Sequence, residues 1–324
     1  MIPKVAKDSP LSFKRLQKNL ASLWLRPRIR AKWRIDQKHL PLTKRHRKLY
    51  IRIHLAFWKK FEDFPELVEC RDFNDKIQWL KLFDQDPEIV RCVDKIAVRE
   101  RVLERVGKDY LVELYQTHEE FAQIDFETLP SSFVIKANHD SGSYILVRDK
   151  TQLDHSAAKE KLNAALQRAY GVKSAQWGYA LVKPKVMVEA FIDPENDNPP
   201  ADYKFYVVDG RVRFVHYISG RESGVNEQIL DPTGLDLKIP LHPKYPPGNS
   251  FVKPHGWDEM ISVAERVGDG FKCVRVDLFY SNHGRIYVGE LTFWPMGGFY
   301  LGPGQKQLGS FLDFDRSSYK SPII

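Results

Sequence analysis

Asp277 and Glu290, with Arg275 and Thr292 beside them, are the residues best placed to do chemistry. They lie in two largely apolar runs, Cys273 to Tyr280 and Arg285 to Phe293, separated by Ser281-Asn282-His283-Gly284. Asn and Gly between such runs read as the turn of a β-hairpin. With a four-residue loop at 281–284, Tyr280 pairs with Arg285, Arg275 lies opposite Glu290, and Asp277 lies opposite Val288. Alternation then puts Arg275, Asp277, Glu290 and Thr292 on one face. Val274, Val276, Leu278, Tyr287, Leu291 and Phe293 take the other face and form core. Two carboxylates and an arginine on one face suit a divalent cation and a phosphate, because Mg²⁺ takes oxygen ligands. The competing reading of the hairpin alone is a surface salt bridge between Arg275 and Glu290.

Other charges sit where charge is costly. Lys136 interrupts the apolar run Ser132 to Asn138, so it belongs at an exposed edge or facing an anion. The adjoining loop, His139-Asp140-Ser141-Gly142-Ser143, offers backbone N–H groups that could cover phosphate oxygens. Glu189 stands in the apolar run Lys185 to Ile192 and needs a donor: a ribose hydroxyl, an adenine amine, or Lys136 itself. Asp202 and Lys204 alternate onto one face of the next strand, with Phe205 on the other. Lys95 follows Asp94 on a helix. His216 and Arg221 read equally well as surface.

These residues need elements to hold them. Helical spacing predicts helices at about 46–60, with Leu49, Ile53 and Phe57 on one face, and at 74–84, with Ile77, Leu80 and Phe83 or Trp79 inward. Asp86-Pro87 opens a third helix as N-cap and first-turn proline, running to about 105 and stopping at Gly107. Strands follow at Tyr110 to Tyr115, 132–138, Tyr144 to Val147 and 185–192, with a helix at 154–169. A hairpin turns at Asp209-Gly210 between Tyr203 to Val208 and Arg211 to Ile218. Residues 220–256 read as irregular, 257–268 as helix, and the tail from Pro295 as loop. Antiparallel strands with interspersed helices make the class α+β.

Composition bounds the class of protein. The 324 residues, 43% hydrophobic and 12% aromatic, suffice for a sizeable core. No run is long enough to span a bilayer, and no secretory h-region is visible. Three widely spaced cysteines (Cys70, Cys92, Cys273) form no zinc or disulfide pattern, which points to a reducing cytoplasm. Residues 1–50 carry 15 Lys/Arg against 2 Asp/Glu, whereas the rest carry 35 against 40. The basic character therefore belongs to the N-terminal segment. There Phe13, Leu16, Leu20, Leu23 and Trp24 recur at helical spacing, and Arg26-Pro27-Arg28 is expected to end the helix. This segment reads first as a solvated helix covering part of the body or a disordered basic leader, and second, through residues 11–34, as an interfacial helix in peripheral contact with anionic lipid. Nucleic acid is not expected, since no nucleic-acid-binding motif is present.

Six segments, taken in order, carry a family resemblance: Phe73 to Leu80, Asp94 to Arg99, Leu129 to His139, Asp202 to Tyr206, Arg275 to Leu278, and Gly289 to Phe293. In order and spacing they resemble the ATP-grasp superfamily, and more closely its teichuronopeptide-biosynthesis (TupA-like) branch, found with bacterial surface-polysaccharide genes. The resemblance covers about Phe73 to Gly309. It implies an ATP-grasp fold in which two α+β subdomains clasp ATP, here with a basic helical N-terminal extension. The corresponding division is 1–45 extension, 46–109 helical lead-in, 110–192 nucleotide-lid subdomain, and 193–324 metal-binding and substrate subdomain.

The resemblance also implies roles. Lys95 and Lys136 would contact nucleotide phosphates under a lid containing Ser141, Gly142 and Ser143. Glu189 and the backbone of Ala190 to Ile192, including Phe191, would meet adenine, and Asp202 or Glu189 the ribose. Asp277 and Glu290 would hold Mg²⁺. Thr292 stands where many superfamily members carry Asn, and its hydroxyl can bind metal or water. Arg275 would stabilise the transferred phosphoryl group, with Lys204 and Arg221 as further catalytic candidates. The implied activity is an ATP-dependent carboxylate–amine ligase acting through an acyl phosphate on small-molecule or glycan substrates. It would work in the cytoplasm or at the inner face of the membrane. Alternatives are an ATP-grasp kinase acting on a sugar or polyol, and a membrane-associated polysaccharide protein, glycosyl-transferring or non-catalytic.

Overall fold

The computed structural model describes residues 24–192, 201–220, 224–241, 243, 248, 251–281 and 283–318. Its helices are α1 (24–36), α2 (Arg47–Phe61), α3 (Phe73–Phe83), α4 (Pro87–Val93), α5 (Val98–Arg105), α6 (His155–Leu166), α7 (Trp257–Gly268) and α8 (Gln305–Phe311). The strands are β1 (Leu114–His118), β2 (Phe133–Ala137), β3 (Tyr144–Val147), β4 (Val186–Ala190), β5 (Asp202–Val208), β6 (Arg211–Ser219), β7 (Asn226–Leu230), β8 (Cys273–Tyr280) and β9 (Ile286–Thr292). They form two sheets, β1-β4-β2-β3 and β7-β6-β5-β8-β9, antiparallel throughout. The α+β class expected from the sequence holds.

Each sheet has an apolar face and a working face. In the four-stranded sheet Phe133, Ile135, Val186 and Val188 pack with Ala158 and Leu162 of α6. Period-two alternation therefore turns Lys136 and Glu189 away from α6. In the five-stranded sheet Val274, Val276, Phe205 and Val207 are buried on the side of α7. On the opposite face Tyr206 packs against Phe73 of α3 and stacks on Phe214, which meets Phe311 of α8. Helices α3 and α8 thus cover one end of that face and leave its polar end to form the site.

Four expectations need correction. The helix foreseen over 87–105 is two helices: Asp86 caps α4 as expected, but Asp94 is extended and α5 begins afresh at Val98. The Asp94 carboxylate accepts from the Ile96 N–H (2.8 Å) and from Asn138 Nδ2 (2.9 Å), replacing helical bonds with bonds to a distant strand end. The strand placed at Tyr110 to Tyr115 begins only at Leu114, because residues 108–110 form a 3-10 turn and Arg99 binds the Val112 carbonyl at 2.7 Å. Pro27 does not end the N-terminal helix, since residues 24–36 are helical straight through it; the expected helix before Trp24 lies outside the described residues. Strand β7 and helix α8 occupy stretches expected to be irregular.

The final hairpin also shifts register. Tyr280 pairs with Ile286, and a bulge at Gly289 sets Asp277 opposite Glu290 and Arg275 opposite Thr292. A Cβ at Gly289 would stand 2.6 Å from the Phe279 ring, so the bulge needs glycine. Beyond the bulge Val288, not Tyr287, is buried opposite Leu278.

Helix α3 is buried nearly all round, and its polar residues hold the segment that follows β9. Asn74 exchanges two 2.9 Å bonds with the Tyr300 backbone. Gln78 donates to the carbonyls of Gly297 (3.1 Å) and Gly298 (2.8 Å). Lys81, fully buried, donates to the carbonyls of Gly297 (2.7 Å) and Ser174 (2.8 Å) and to Gln78 Oε1 (2.8 Å). These bonds secure a run of three left-handed residues, Met296, Gly297 and Gly298. Burial pushes the Lys81 ammonium well below its ordinary pKa, so only its acceptors keep it acceptable there. Lys81→Ala, which takes a donor from three buried acceptors and leaves only the Gly297 carbonyl with another, from Gln78, is expected to lower the unfolding free energy by about 3 kcal/mol in urea titrations.

Candidate active site

Across the five-stranded sheet runs a row of ionisable side chains. His216 on β6 lies opposite Lys204 on β5, Lys204 opposite Asp277 on β8, and Asp277 opposite Glu290 on β9. Arg275 clamps Asp277 with two bonds of 2.6 Å, reaches Glu290 Oε1 at 3.5 Å, and donates to Thr292 Oγ1 at 3.1 Å. Lys204 Nζ donates to Asp277 Oδ2 at 3.0 Å and lies 3.6 Å from Asp202. The Arg275, Lys204 and Asp277 side chains are 10%, 10% and 6% exposed, so each charge depends on these contacts.

Lys95 enters from the break between α4 and α5. Its N–H donates to the Asn138 carbonyl (3.0 Å), and its ammonium lies 3.2 Å from Glu290 Oε2 while donating to the Asp140 carbonyl at 2.5 Å. The broken helix thus serves the site: an unbroken one would lack the Asp94–Asn138 tie that places Lys95 here. From the other sheet Lys136 donates to Glu189 Oε1 at 2.5 Å. Strand β2 is interior, between β4 and β3, so the anion facing Lys136 in this structure is Glu189. A small cleft is lined by Lys136 and Glu189 from one sheet, Phe279, Val288 and Gly289 from the other, and Lys95 and Arg99 from the helical side.

The loop after β2 is anchored from within. The Asp140 carboxylate accepts from Ser143 Oγ (2.6 Å) and from Arg168 (2.5 Å). Ser143 is therefore buried and engaged, while Ser141 and Gly142 are exposed, Gly142 with φ +86°. Phe191 lies past the end of β4, with the Arg148 guanidinium 5.7 Å from its ring centre, and does not line the cleft. Arg221 lies outside the described residues. The structure thus brings Lys95, Lys136, Glu189, Asp202, Lys204, Arg275, Asp277, Glu290 and Thr292 into one region. It adds groups that sequence reasoning gave no role. The buried Glu227 meets His216 Nε2 at 3.1 Å, Arg168 braces the loop, and Arg99, in the first turn of α5, shares the cleft with Lys95. The i+4 spacing of Arg99 from Lys95 was the one available signal.

Electrostatics bind the row together. Burial raises the Glu290 carboxyl, but the Lys95, Arg275 and Lys204 charges outweigh it and hold the pKa at about 2, below the usual 4.5. Burial also drives His216 down, against the pull of Glu227. A carboxylate depressed on folding contributes stability that is full above about pH 4.5 and is lost as pH falls toward about 2. The stability difference between the wild type and Glu290→Gln, on the order of 1–2 kcal/mol near neutrality, is therefore expected to shrink steadily in urea titrations run from about pH 6 down to about pH 3.

Comparison with known proteins agrees with this architecture. The TupA-like ATP-grasp family model matches residues 75–308. No curated protein matches the sequence significantly. Similar solved structures include a D-alanine–D-alanine ligase from Bacillus anthracis complexed with ATP, 18% identical over 68% of this chain and 63% of that one, with a TM-score of 0.39. An L-amino acid ligase from Bacillus licheniformis is 17% identical over 88% and 66%, with a TM-score of 0.44. The ATP-grasp ligase PsnB complexed with a minimal precursor is 13% identical over 70% and 61%, with a TM-score of 0.36. The chain spans less than two thirds of the length of these structures. The family match, which covers most of the chain, shows that this protein belongs to the TupA-like ATP-grasp family and has the ATP-grasp fold.

Proposed function

We propose that the protein is an ATP-dependent carboxylate–amine ligase. The observation that carries this reading is the pairing of Asp277 with Glu290 at the edge of a cleft that Lys95 and Lys136 enter from two other elements. Among the described residues no cluster of three or more His, Cys, Asp or Glu could hold a metal ion by itself. Two carboxylates and the Thr292 hydroxyl instead fit Mg²⁺ in its common protein setting, where one or two carboxylates share the ion with substrate phosphates and water. When bound, Mg²⁺ would neutralise charge on those phosphate oxygens.

The chain's own residues do the rest by position and charge. The Lys95 and Lys136 ammoniums, now balanced by Glu290 and Glu189, turn to the nucleotide phosphates, and the exposed backbone of Ser141 and Gly142 covers them. Glu189 and Asp202 take the adenine and ribose, in a cleft whose apolar wall is Phe279 and Val288. Arg275, held in plane by Asp277, meets the transferred phosphoryl group, and Lys204 steadies the same carboxylate from the other side. A substrate carboxylate attacks the terminal phosphoryl group, releasing ADP. An amine then displaces phosphate from the acyl phosphate and leaves an amide. In this reading the four-stranded sheet is the nucleotide lid, the five-stranded sheet carries metal and substrate, and the enzyme works in the cytoplasm. Its family relation supports an acid or amine drawn from surface-polysaccharide assembly.

Two outcomes are expected. With Mg²⁺, ATP and a screen of amino acids and uronic acids, hydroxylamine should trap a hydroxamate as ADP and phosphate appear; stable phosphate on a hydroxyl acceptor would instead identify a kinase. Asp277→Asn and Glu290→Gln should each lower turnover by about 10²–10³-fold. Both should also abolish the Mg·ATP-dependent rise in melting temperature, a stabilisation of about 2.7 kcal/mol at a hundredfold excess over Kd.

A further inference from the structure

A second concave surface lies between α1 and α2. The groove, of about 680 Å³, is bordered by Arg26 and Arg30 from α1, Arg47, Arg52 and Lys59 from α2, and Lys173 from a loop. Its floor is apolar: Ile51, Leu55 and Ala56, each partly exposed. The α2 contribution is a stripe, since Lys48, Arg52, Leu55 and Lys59 recur at helical spacing on the side opposite buried Tyr50, Ile53 and Phe57.

Among the described residues no carboxylate lines the groove. On α1 the Asp36 carboxylate accepts from Tyr50 (2.7 Å) and Lys32 (3.4 Å), and Glu66 lies 3.6 Å from Lys32. The preceding sequence is itself basic, since residues 1–23 hold five Lys/Arg and one Asp. Like charges held together in this way destabilise the fold by mutual repulsion, which an external anion would relieve.

We propose that this groove docks the headgroup of an anionic phospholipid and holds the protein against a membrane surface. The phosphate meets the arginines while the glycerol and upper acyl region cover the Ile51–Leu55 floor. Exposed apolar residues on α1 support a bilayer as the source. Leu25 and Ile29 point into the core, Arg26 and Arg30 fall on one side of the solvent ridge, and Trp24 falls on the other. Trp24 is 61% exposed and Ile35 57%. Tryptophan beside basic side chains is the composition of a helix lying in a membrane interface. Among the described residues no aromatic ring lines the groove as a stacking platform for a nucleic-acid strand. Among the described residues no helix is long and apolar enough to cross a membrane. This site stands apart from the catalytic reading and does not rest on it.

The test is flotation of the full chain with vesicles of phosphatidylcholine alone or mixed equally with phosphatidylglycerol. Binding is expected only to the anionic vesicles and should weaken as salt shortens the reach of the charges. The double reversal Arg26→Glu with Arg52→Glu should lower partitioning by at least about tenfold. Arg213→Glu, an exposed reversal on β6, should lower it far less. Melting temperature and its response to Mg·ATP, unchanged in the double variant, will show that the fold is intact; should that variant not fold, Arg52→Gln with Trp24→Ala replaces it, and weaker anionic-vesicle binding is again expected. Equal binding to neutral vesicles, full binding by the groove variants, or equal loss with Arg213→Glu would overturn the proposal. So would stabilisation of the wild type, but not of the groove variant, by inorganic phosphate or polygalacturonate without vesicle binding, because the occupant would then be a soluble anion.

Discussion

Neutralisation of charge on the working face of the five-stranded sheet is the constraint around which this molecule is built. Arg275 and Asp277 are almost wholly buried, and an ion in that position without a partner would be penalised by several kcal/mol. The bidentate Arg275–Asp277 contact meets that demand, and Lys204, Thr292 and Glu290 complete it. Register is subordinate to this end. The Gly289 bulge moves Glu290 level with Asp277, so that Arg275 reaches both carboxylates while Lys204 reaches Asp277 and Lys95 reaches Glu290. Removing any one member leaves its neighbours charged and enclosed, which makes the group act as a unit.

The same balance links the two sheets. Lys95 spans from the α4–α5 break to Glu290 on one side and the Asp140 carbonyl on the other. Asn138 supports that bridge through bonds to Asp94, Lys183, Lys185 and Lys95. The helix break, the end of β2 and the strand leading into β4 therefore meet at a single buried amide. A cleft between sheets joined so sparingly can change its charge partners without disturbing either apolar core. The large core lies against α7 and α3, and the small one against α6.

Much of this was legible in the sequence wherever local pattern decides. Alternation alone put Arg275, Asp277, Glu290 and Thr292 on one face, and Asp86-Pro87 and Gly107 marked true helix ends. What was not legible depends on distant contacts. The bulge answers to the Phe279 ring, and the break at Asp94 answers to Asn138, 44 residues away. Strand β7 begins Asn-Glu-Gln, a polar signature that conceals a strand whose Glu227 turns inward to His216. Lys81 falls in an apolar helix and looks like a surface residue until the Gly297 and Ser174 carbonyls are placed over it. Family resemblance supplied what periodicity could not: which of the scattered lysines belong together.

The bonds from α3 to the left-handed run at 296–298 carry a consequence for how the chain is made. Lys81 and its Gly297 acceptor are separated by 216 residues, and Asn74 and Tyr300 by 226. At translation rates of about 5–20 residues per second, α3 waits roughly 10–40 s after emerging from the ribosome before its acceptors exist. Throughout that interval the helix must keep an ammonium and two amides hydrated, so it cannot settle into its final bed. Completion of this face of the sheet is thus withheld until Gly297 has been made, and a nascent chain stalled before Gly297 would present an unfinished, water-filled cradle.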